Sequence, residues 1–205
     1  MTTHSPKQRI RGSERRELIV EAALAEFAQR GYEAASVGRI AAAAGISRTV
    51  LYDHFPSKRA LFFELVTEQH SALLAHLREP IASDAPMRER MRATFDAFFA
   101  FAQERPLAWG LLFPDHPPMD PSVADEHRRS RAESNRLLAG LLVADAQRAG
   151  LDPESPVGRA VFLMHQEALH GAARWWQGHP EVEREVLVEA AMAALWTGLG
   201  AAERS

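Results

Sequence analysis

With 205 residues, 46% of them hydrophobic and 8% aromatic, the chain can bury a substantial core, which excludes disorder for most of its length. The absence of cysteine excludes disulfide bonds, thiol catalysis and cysteine-ligated metal. The net charge is −3, but residues 1–60 carry ten basic and six acidic side chains, against fourteen and twenty-one in the remainder. This basic end on an acidic body indicates an anionic partner for the N-terminal part.

The chain offers no sign of a membrane or export segment. Apolar runs stay well short of the roughly 20 residues that a membrane span needs, and the N-terminus lacks the apolar core of a signal peptide. We therefore expect a cytoplasmic protein with no membrane partner. Residues 1–10 are predicted to form a flexible basic tail.

Helical periodicity recurs along the chain and the alternation typical of strands is absent, so the sequence predicts an all-α fold of about nine helices. Three short helices form an N-terminal head over residues 11–56, and six form a body over residues 57–205. Capping serines, glycines and prolines set their limits. The head helices are predicted at about 14–31, 37–44 and 48–55.

The helices of the body follow the same signals. Pro80 is expected to end the first of them, because proline lacks the amide hydrogen that a helix interior uses. Four prolines mark a loop before the long helix that follows. The body helices are predicted at about 58–79, 86–104, 107–113, 122–149, 156–177 and 181–202.

Residues 36–58 have the spacing of a helix-turn-helix, which needs two short helices joined by a tight turn. Ala41 is small enough for the two helices to approach closely. Gly45 can adopt the left-handed conformation of the turn. Ile40, Ile46 and Leu51 are predicted to form the small core between the helices.

The second helix of this pair has side chains suited to DNA. Arg48 and Thr49 occupy its first turn, and arginine can donate two hydrogen bonds to guanine O6 and N7. Tyr52 and His54 can donate to phosphates, and Lys58 can clamp the backbone at the start of the next helix. On spacing alone, an ordinary helical pair with a solvated arginine remains an equal alternative.

The run Leu51-Tyr52-Asp53-His54-Phe55-Pro56-Ser57-Lys58 resembles the Leu-Tyr-x-His-Phe-x-x-Lys signature of TetR-family regulators. The resemblance extends over residues 11–61, and residues 174–180 and 195–199 are similar to the end of many members. It implies a homodimer formed by the last two helices and a body that releases operator DNA when a small molecule enters. The DNA contacts that it implies, together with the helix-turn-helix spacing, are Ser36, Val37, Ser47, Arg48, Thr49, Val50, Tyr52, His54 and Lys58.

Several positions depart from that signature. Thr49 stands where the family often has glycine, and Val50 stands where it often has threonine. Gly38 occupies a position at which some members place a long base-reading side chain. Asp53 either points away from DNA or accepts a hydrogen bond from cytosine N4. These departures leave the operator sequence open.

Two surfaces are predicted in the body. An apolar stripe on the last helix is predicted to form the dimer interface, with packing inside one subunit as the alternative; it comprises Val186, Leu187, Ala190, Ala191, Ala194 and Leu195. A cavity for an apolar or aromatic effector is expected among the middle helices, although each of its candidate residues could belong to an ordinary core. These candidates are Phe98, Phe101, Trp109, Phe113, Met164, His165 and Trp175.

Catalytic and metal-binding patterns are absent from the sequence. His165 and His170 are five residues apart, whereas two ligands on one helical face are four apart. We expect no enzyme activity, no cofactor and no metal. The favoured function is a ligand-responsive, operator-binding regulator, in the first place a repressor. The alternatives are a DNA-binding protein that answers to a protein partner or organises the chromosome, and a helical enzyme or scaffold with a vestigial head.

Overall fold

The computed structural model describes residues 12–196, and within that range the chain forms nine α-helices, one π-helical segment and no strand. The predicted all-α class with about nine helices is confirmed. The predicted tail 1–10, Arg11 and residues 197–205 lie outside the described range. The helices are α1 Gly12–Ala34, α2 Val37–Ala43, α3 Arg48–His54, α4 Lys58–Ala82, α5 Met87–Glu104, α6 Pro106–Leu112, α7 Pro121–Arg148, α8 Pro156–Gln177 and α9 Arg184–Ala191, which continues into the π-helical segment Met192–Trp196.

The helix ends follow local sequence chemistry. The side chains of Ser47, Ser57 and Ser155 each accept a hydrogen bond from an amide in the first turn of α3, α4 and α8. The helical path of α1 breaks at Gly31, where φ is 71°, so the predicted end of the first helix is confirmed. Gly45 closes the turn between α2 and α3 with φ 68°.

Two predicted boundaries are wrong. Pro80 lies inside α4, which continues to Ala82. Packing explains the continuation, because Ile81 is buried. The last helix begins at Arg184 and not near 181, because the preceding residues form a turn in which the Val182 carbonyl accepts a hydrogen bond from the Trp176 indole at 2.7 Å.

The head rests on the body through α1 and α4. Phe27 and Tyr32 of α1 pack edge-on against Phe62 of α4, with ring centroids 5.1 and 5.0 Å apart. α1 also packs along α6. α4 therefore starts in the head, ends in the body and shares its buried face with both. Over residues 12–196, no helix has the length and apolar character to cross a membrane.

We expect Gly45→Ala to lower the free energy of unfolding by about 1–2 kcal/mol, because a Cβ is disfavoured at positive φ. Gly140→Ala is the matched control: Gly140 lies within α7 with open space around it, so alanine is expected to add about 0.5–1 kcal/mol. Urea denaturation followed by circular dichroism measures both. Equal effects of the two substitutions would contradict this account of the turn.

Candidate nucleic-acid interface and internal cavity

The turn between α2 and α3 is closed by main-chain hydrogen bonds. The amide of Ile46 donates to the Ala41 carbonyl at 2.9 Å, and the amide of Gly45 donates to the Ala42 carbonyl at 3.1 Å. Ile40 and Leu51 are fully buried between the helices. Ile46 is half-buried beside them. The predicted small core is therefore present, and it fixes the angle between α2 and α3.

One side of α3 is left open by this packing. Arg48 and Thr49 are exposed in its first turn, and Tyr52, one turn later, has 48% of its surface exposed. Val50 and His54 are half-buried. The Ser47 hydroxyl caps α3 by accepting from the Val50 amide at 3.2 Å. An exposed first turn carrying an arginine is the part of a recognition helix that reads base edges.

Arg48 does not extend freely from α3. Its guanidinium lies so close over Gly38 of α2 that a Cβ at position 38 would displace the flexible end of the Arg48 side chain. Any side chain at position 38 would have to share that space with the arginine. Gly38 thus leaves room for the guanidinium beside α2, a relation that the sequence does not reveal.

Lys58 has a different role from the predicted phosphate clamp. Its ammonium donates hydrogen bonds to the carbonyls of Tyr32, Ala35 and Glu33 at 2.6, 3.1 and 3.3 Å. It also lies 4.4 Å from the centroid of the Tyr32 ring. Burial lowers the pKa of Lys58. Because its donors are used inside the protein, the structure corrects the prediction: Lys58 fastens the end of α1 to the start of α4.

Glu26 holds the start of α2, a function that sequence reasoning missed. Its carboxylate accepts from the Ser36 amide at 2.9 Å and from Arg39 Nε at 2.7 Å. The Arg39 hydrogen bond holds the pKa of Glu26 below its usual value. Ser36 takes the N-cap position of α2, but its hydroxyl makes no capping bond within the described residues. The available signal was an acidic residue beside Phe27 on the apolar face of α1.

Two polar contacts tie the head to α7. Arg59 of α4 donates to Glu126 through Nε at 3.1 Å and to the Ser122 hydroxyl at 3.0 Å. Glu33, at the end of α1, accepts from the amides of Met119 and Asp120 at 2.7 and 3.1 Å. The first turn of α7 is thereby connected to the loop that Lys58 fastens.

The body contains a partly open cavity of about 650 Å³ among α4, α5, α7 and α8. Most of its wall is aliphatic or aromatic. The apolar wall includes Leu73, Leu77, Ile81, Met91, Phe95, Phe98, Leu138, Leu142, Phe162 and Leu169.

Three of the predicted pocket residues, Phe98, Phe113 and His165, line this cavity. The other four do not belong to the wall that the described residues form, so the predicted lining is corrected for Phe101, Trp109, Met164 and Trp175. Helical periodicity explains the error. Trp109 is buried directly behind Phe98 and Phe113, whereas Met164 and Trp175 lie on the opposite, exposed side of α8.

The part of the wall nearest the head is polar. Arg131 of α7 pairs with Glu167 and donates to His170 Nδ1 at 3.1 Å. His70 of α4 lies 3.2 Å from the Ser130 hydroxyl through Nδ1. Burial, reinforced by the charge of Arg131, lowers the pKa of His170 to about 3, and burial lowers the pKa of His70 to about 4. Both rings are therefore neutral at physiological pH.

In the structure, some residues of the predicted dimer stripe are buried or half-buried and the others are exposed. Leu187 and Ala191 pack inward, and Leu195 is half-buried. These three are corrected to core of the same subunit, because they face α5. The exposed members, Val186, Ala190 and Ala194, remain available to a partner. The exposed apolar side of α8 was missed as a surface and carries Val157, Ala160, Leu163, Met164, Ala168 and Trp175.

Residues 19–65 match the family described as bacterial regulatory proteins, tetR family. The transcriptional activator FasR of Mycolicibacterium smegmatis is 28% identical over 191 residues, which cover 93% of this chain and 85% of FasR. A putative transcriptional regulator from Pseudomonas aeruginosa superposes with a TM-score of 0.76 at 26% identity, covering 96% of both chains. FadR of Bacillus subtilis, solved with stearoyl-CoA, superposes with a TM-score of 0.71 at 18% identity, over 88% of this chain and 95% of FadR.

A helix-turn-helix head on a helical body defines a DNA-binding transcriptional regulator. Within that class, the head of this chain matches the TetR family over residues 19–65, so the resemblance seen in the sequence is confirmed.

We expect the free energy of unfolding to fall as the pH falls from 7 towards 4, because unfolded histidines bind protons near pH 6.5 while His70 and His170 stay neutral in the fold. His170→Gln is expected to reduce that loss by about 1–3 kcal/mol. Urea denaturation at pH 7, 5.5 and 4 measures it. Ser134→Ala, a change in the same wall that removes no titrating group, is the control, and parallel pH profiles for wild type and His170→Gln would contradict the assignment.

Proposed function

We propose that this protein is a ligand-responsive regulator that binds a pseudo-palindromic operator as a homodimer. The observation that carries the proposal is the combination, in one chain, of an open first turn on α3 and a largely apolar cavity of about 650 Å³ in the body. A DNA-reading surface and a ligand space are the two parts that such a regulator needs. As a DNA-binding protein it would work in the bacterial cytoplasm.

The DNA contacts are assigned by exposure. Arg48 and Thr49 would reach base edges in the major groove, and Tyr52 would donate to a phosphate. Val50 is half-buried and would offer only a small apolar surface, for example to a thymine methyl group. His54 lies in the last turn of α3, where a phosphate contact is the geometry that a helix end allows.

The effector is proposed to be apolar and extended. Leu73, Leu77 and Ile81 follow one another along α4 and face the cavity. This row favours an aliphatic ligand over the aromatic one that the sequence suggested. FadR of Bacillus subtilis, which shares the fold, was solved with stearoyl-CoA, a molecule with a long aliphatic chain.

The route from cavity to head is proposed to run through α4 and α7. Both helices line the cavity, and both are tied to the head by Arg59 and Glu33. A ligand that changes the separation of α4 and α7 would therefore move the head. If the ligand prefers one head position and DNA the other, each weakens the binding of the other to the same extent.

The homodimer is proposed to form through the exposed apolar side of α8 together with α9. Val157, Met164 and Trp175 each have more than half of their surface exposed. Exposed apolar residues in a contiguous row mark interaction surfaces. A two-fold axis through this face would place two copies of α3 on one side of the dimer, as a palindromic operator requires.

The sign of regulation depends on where the operator lies relative to the promoter. FasR is named an activator, and the same mode of DNA binding is compatible with activation and with repression. Repression therefore stays a prediction. No observation in the described residues favours control by a protein partner, chromosome organisation or catalysis.

We expect Arg48→Ala and Tyr52→Ala each to weaken operator binding by about 1–3 kcal/mol, or roughly 5- to 150-fold, because each removes a proposed direct DNA contact. Fluorescence anisotropy with the gene's own upstream DNA against a scrambled duplex measures the affinity. Affinity for the operator should also fall steeply with salt.

The control for this experiment is Arg88→Ala, which removes an exposed arginine of α5 in the body. It should leave operator affinity unchanged. Equal losses in all three variants would indicate nonspecific electrostatics, and no preference for any duplex, including those selected from random DNA, would overturn operator binding.

We expect Met164→Arg to convert the dimer to a monomer, because it places a charge in the centre of the exposed α8 face. Met119→Arg is the matched control, since Met119 is 79% exposed in the loop before α7 and away from that face. Sedimentation velocity at micromolar concentration measures both. A monomeric wild type, or an unchanged dimer in Met164→Arg, would refute the assigned interface.

A further inference from the structure

The polar part of the cavity wall contains buried atoms with no hydrogen-bond partner. Among the described residues there are four: the acceptor candidates His70 Nε2, His165 Nε2 and Gln166 Oε1, and, beside Asp145 near the far end, the donor Arg90 Nε. His70, His165 and Gln166 all line the one cavity described above. His70 and Gln166 are more than nine-tenths buried. Unsatisfied buried polar groups are costly and call for an explanation, and a ligand that supplies the missing partner is one.

The other nitrogen of each ring determines what the free one can do. His165 Nδ1 lies 2.8 Å from the Val161 carbonyl, one turn earlier on α8. A carbonyl can only accept, so Nδ1 carries the hydrogen and Nε2 of the neutral ring presents a lone pair. His70 Nδ1 lies 3.2 Å from the Ser130 hydroxyl, and the Val66 carbonyl, one turn earlier on α4, is a backbone partner of the same ring. Because a carbonyl only accepts and Nε2 has no partner, Nδ1 carries the hydrogen in this ring too. The two free nitrogens are therefore acceptors.

Gln166 adds a third acceptor between the two rings in the wall. Its Oε1 is buried without a partner in the described part of the chain, and its amide group can also donate. In the described part of the chain, the carboxylates of this wall are paired with arginines, Asp145 with Arg90 near the far end and Glu154 with Arg159, and Glu167 of α8 is paired with Arg131.

The apolar part begins one turn away. From His70 to Ile81 the cavity wall follows α4 for eleven residues, about 16 Å at the rise of a helix. A ligand held at the polar part would thus have room for an extended aliphatic or alicyclic portion. The cavity is amphipathic: acceptors lie at one end, aliphatic side chains follow along α4, and the paired Arg90 and Asp145 lie near the far end.

We propose that the effector, in the regulator proposed above, carries a neutral hydroxyl group that donates its one hydrogen to an acceptor of the set His70, His165 and Gln166 while its apolar portion lies along α4. An alcohol can both donate to an imidazole nitrogen and accept from the glutamine amide. A carboxylate has no donor and would face three lone pairs. The low pKa of His70 supports this choice, because the ring resists the protonation that a carboxylate would need.

The test uses three probes of similar length: 1-decanol, 1-methoxydecane and decanoate at pH 7.5, titrated calorimetrically into the full-length protein. The alcohol is expected to bind at least tenfold more tightly than the ether, which keeps the oxygen but lacks the donor, and than the carboxylate. Gln166→Met should reduce the preference for alcohol over ether to about threefold or less. It should leave the ligand-free protein as stable or more so, because it removes an unsatisfied buried group.

Two further variants sharpen the result. His165→Leu removes a second acceptor and should lower the same ratio. Leu142→Ala, in the apolar wall, should weaken alcohol and ether alike and leave their ratio unchanged. An ether that binds as tightly as the alcohol, a carboxylate that binds most tightly, or the absence of binding by all three would overturn the proposal.

These outcomes are separable from failure of the proposed function. Operator affinity of the ligand-free protein is measured without any probe, so a failed alcohol preference leaves operator binding intact. Conversely, if the protein prefers the alcohol but has no sequence-specific DNA affinity, the regulator proposal fails while the chemistry of the cavity stands. Release of a bound operator by 1-decanol, and not by 1-methoxydecane at the same concentration, would support both.

Discussion

The position of the head depends on the hydrogen bonds from the Lys58 ammonium to three carbonyls at the end of α1. These bonds bring the first turn of α4 against the α1–α2 loop, while Phe62, one turn further, packs between Phe27 and Tyr32. The remaining contacts between head and body use the same small region. Arg59 reaches α7 from α4, and Glu33 reaches it from the loop. A displacement of α4 would therefore also displace α3, the recognition helix, since α1, α2 and α3 share one core.

The recognition surface has its own internal constraint. Arg48 is the strongest candidate for base reading, yet its guanidinium lies over Gly38 and competes for space with any side chain there. Positions 38 and 48 are therefore coupled. Arg48 supplies the positive charge, and Gly38, which has no side chain, leaves space for the guanidinium. The departures from the family signature at Gly38 and Val50 both reduce the number of polar groups facing DNA. Arg48 and Thr49 are the polar side chains that remain exposed in the first turn of α3.

The cavity and the outer face of α8 show how one helix serves two purposes. Phe162, Gln166 and Leu169 face the cavity, whereas Val157, Met164 and Trp175 face outward. The division follows helical periodicity, which places residues three and four apart on the same side. A ligand in the cavity and a partner on the outer face would therefore act on opposite sides of α8. Leu163 belongs to both surfaces, since it lines the cavity and is 52% exposed, so the proposed interface and the cavity meet at this residue.

The sequence by itself determined the helix count, most helix ends and the helix-turn-helix, because caps, glycine turns and helical periodicity are local properties. It also carried the resemblance to the TetR family, since the signature at 51–58 lies in one continuous stretch. Only the tertiary structure decided which apolar residues line the cavity and which face solvent. Met164 and Trp175 look as suited to a pocket as Phe98, and nothing local shows the side of α8 on which the other helices pack. The tertiary structure likewise turned Lys58 from a DNA contact into an internal tie, because its partners are carbonyls more than twenty residues away along the chain.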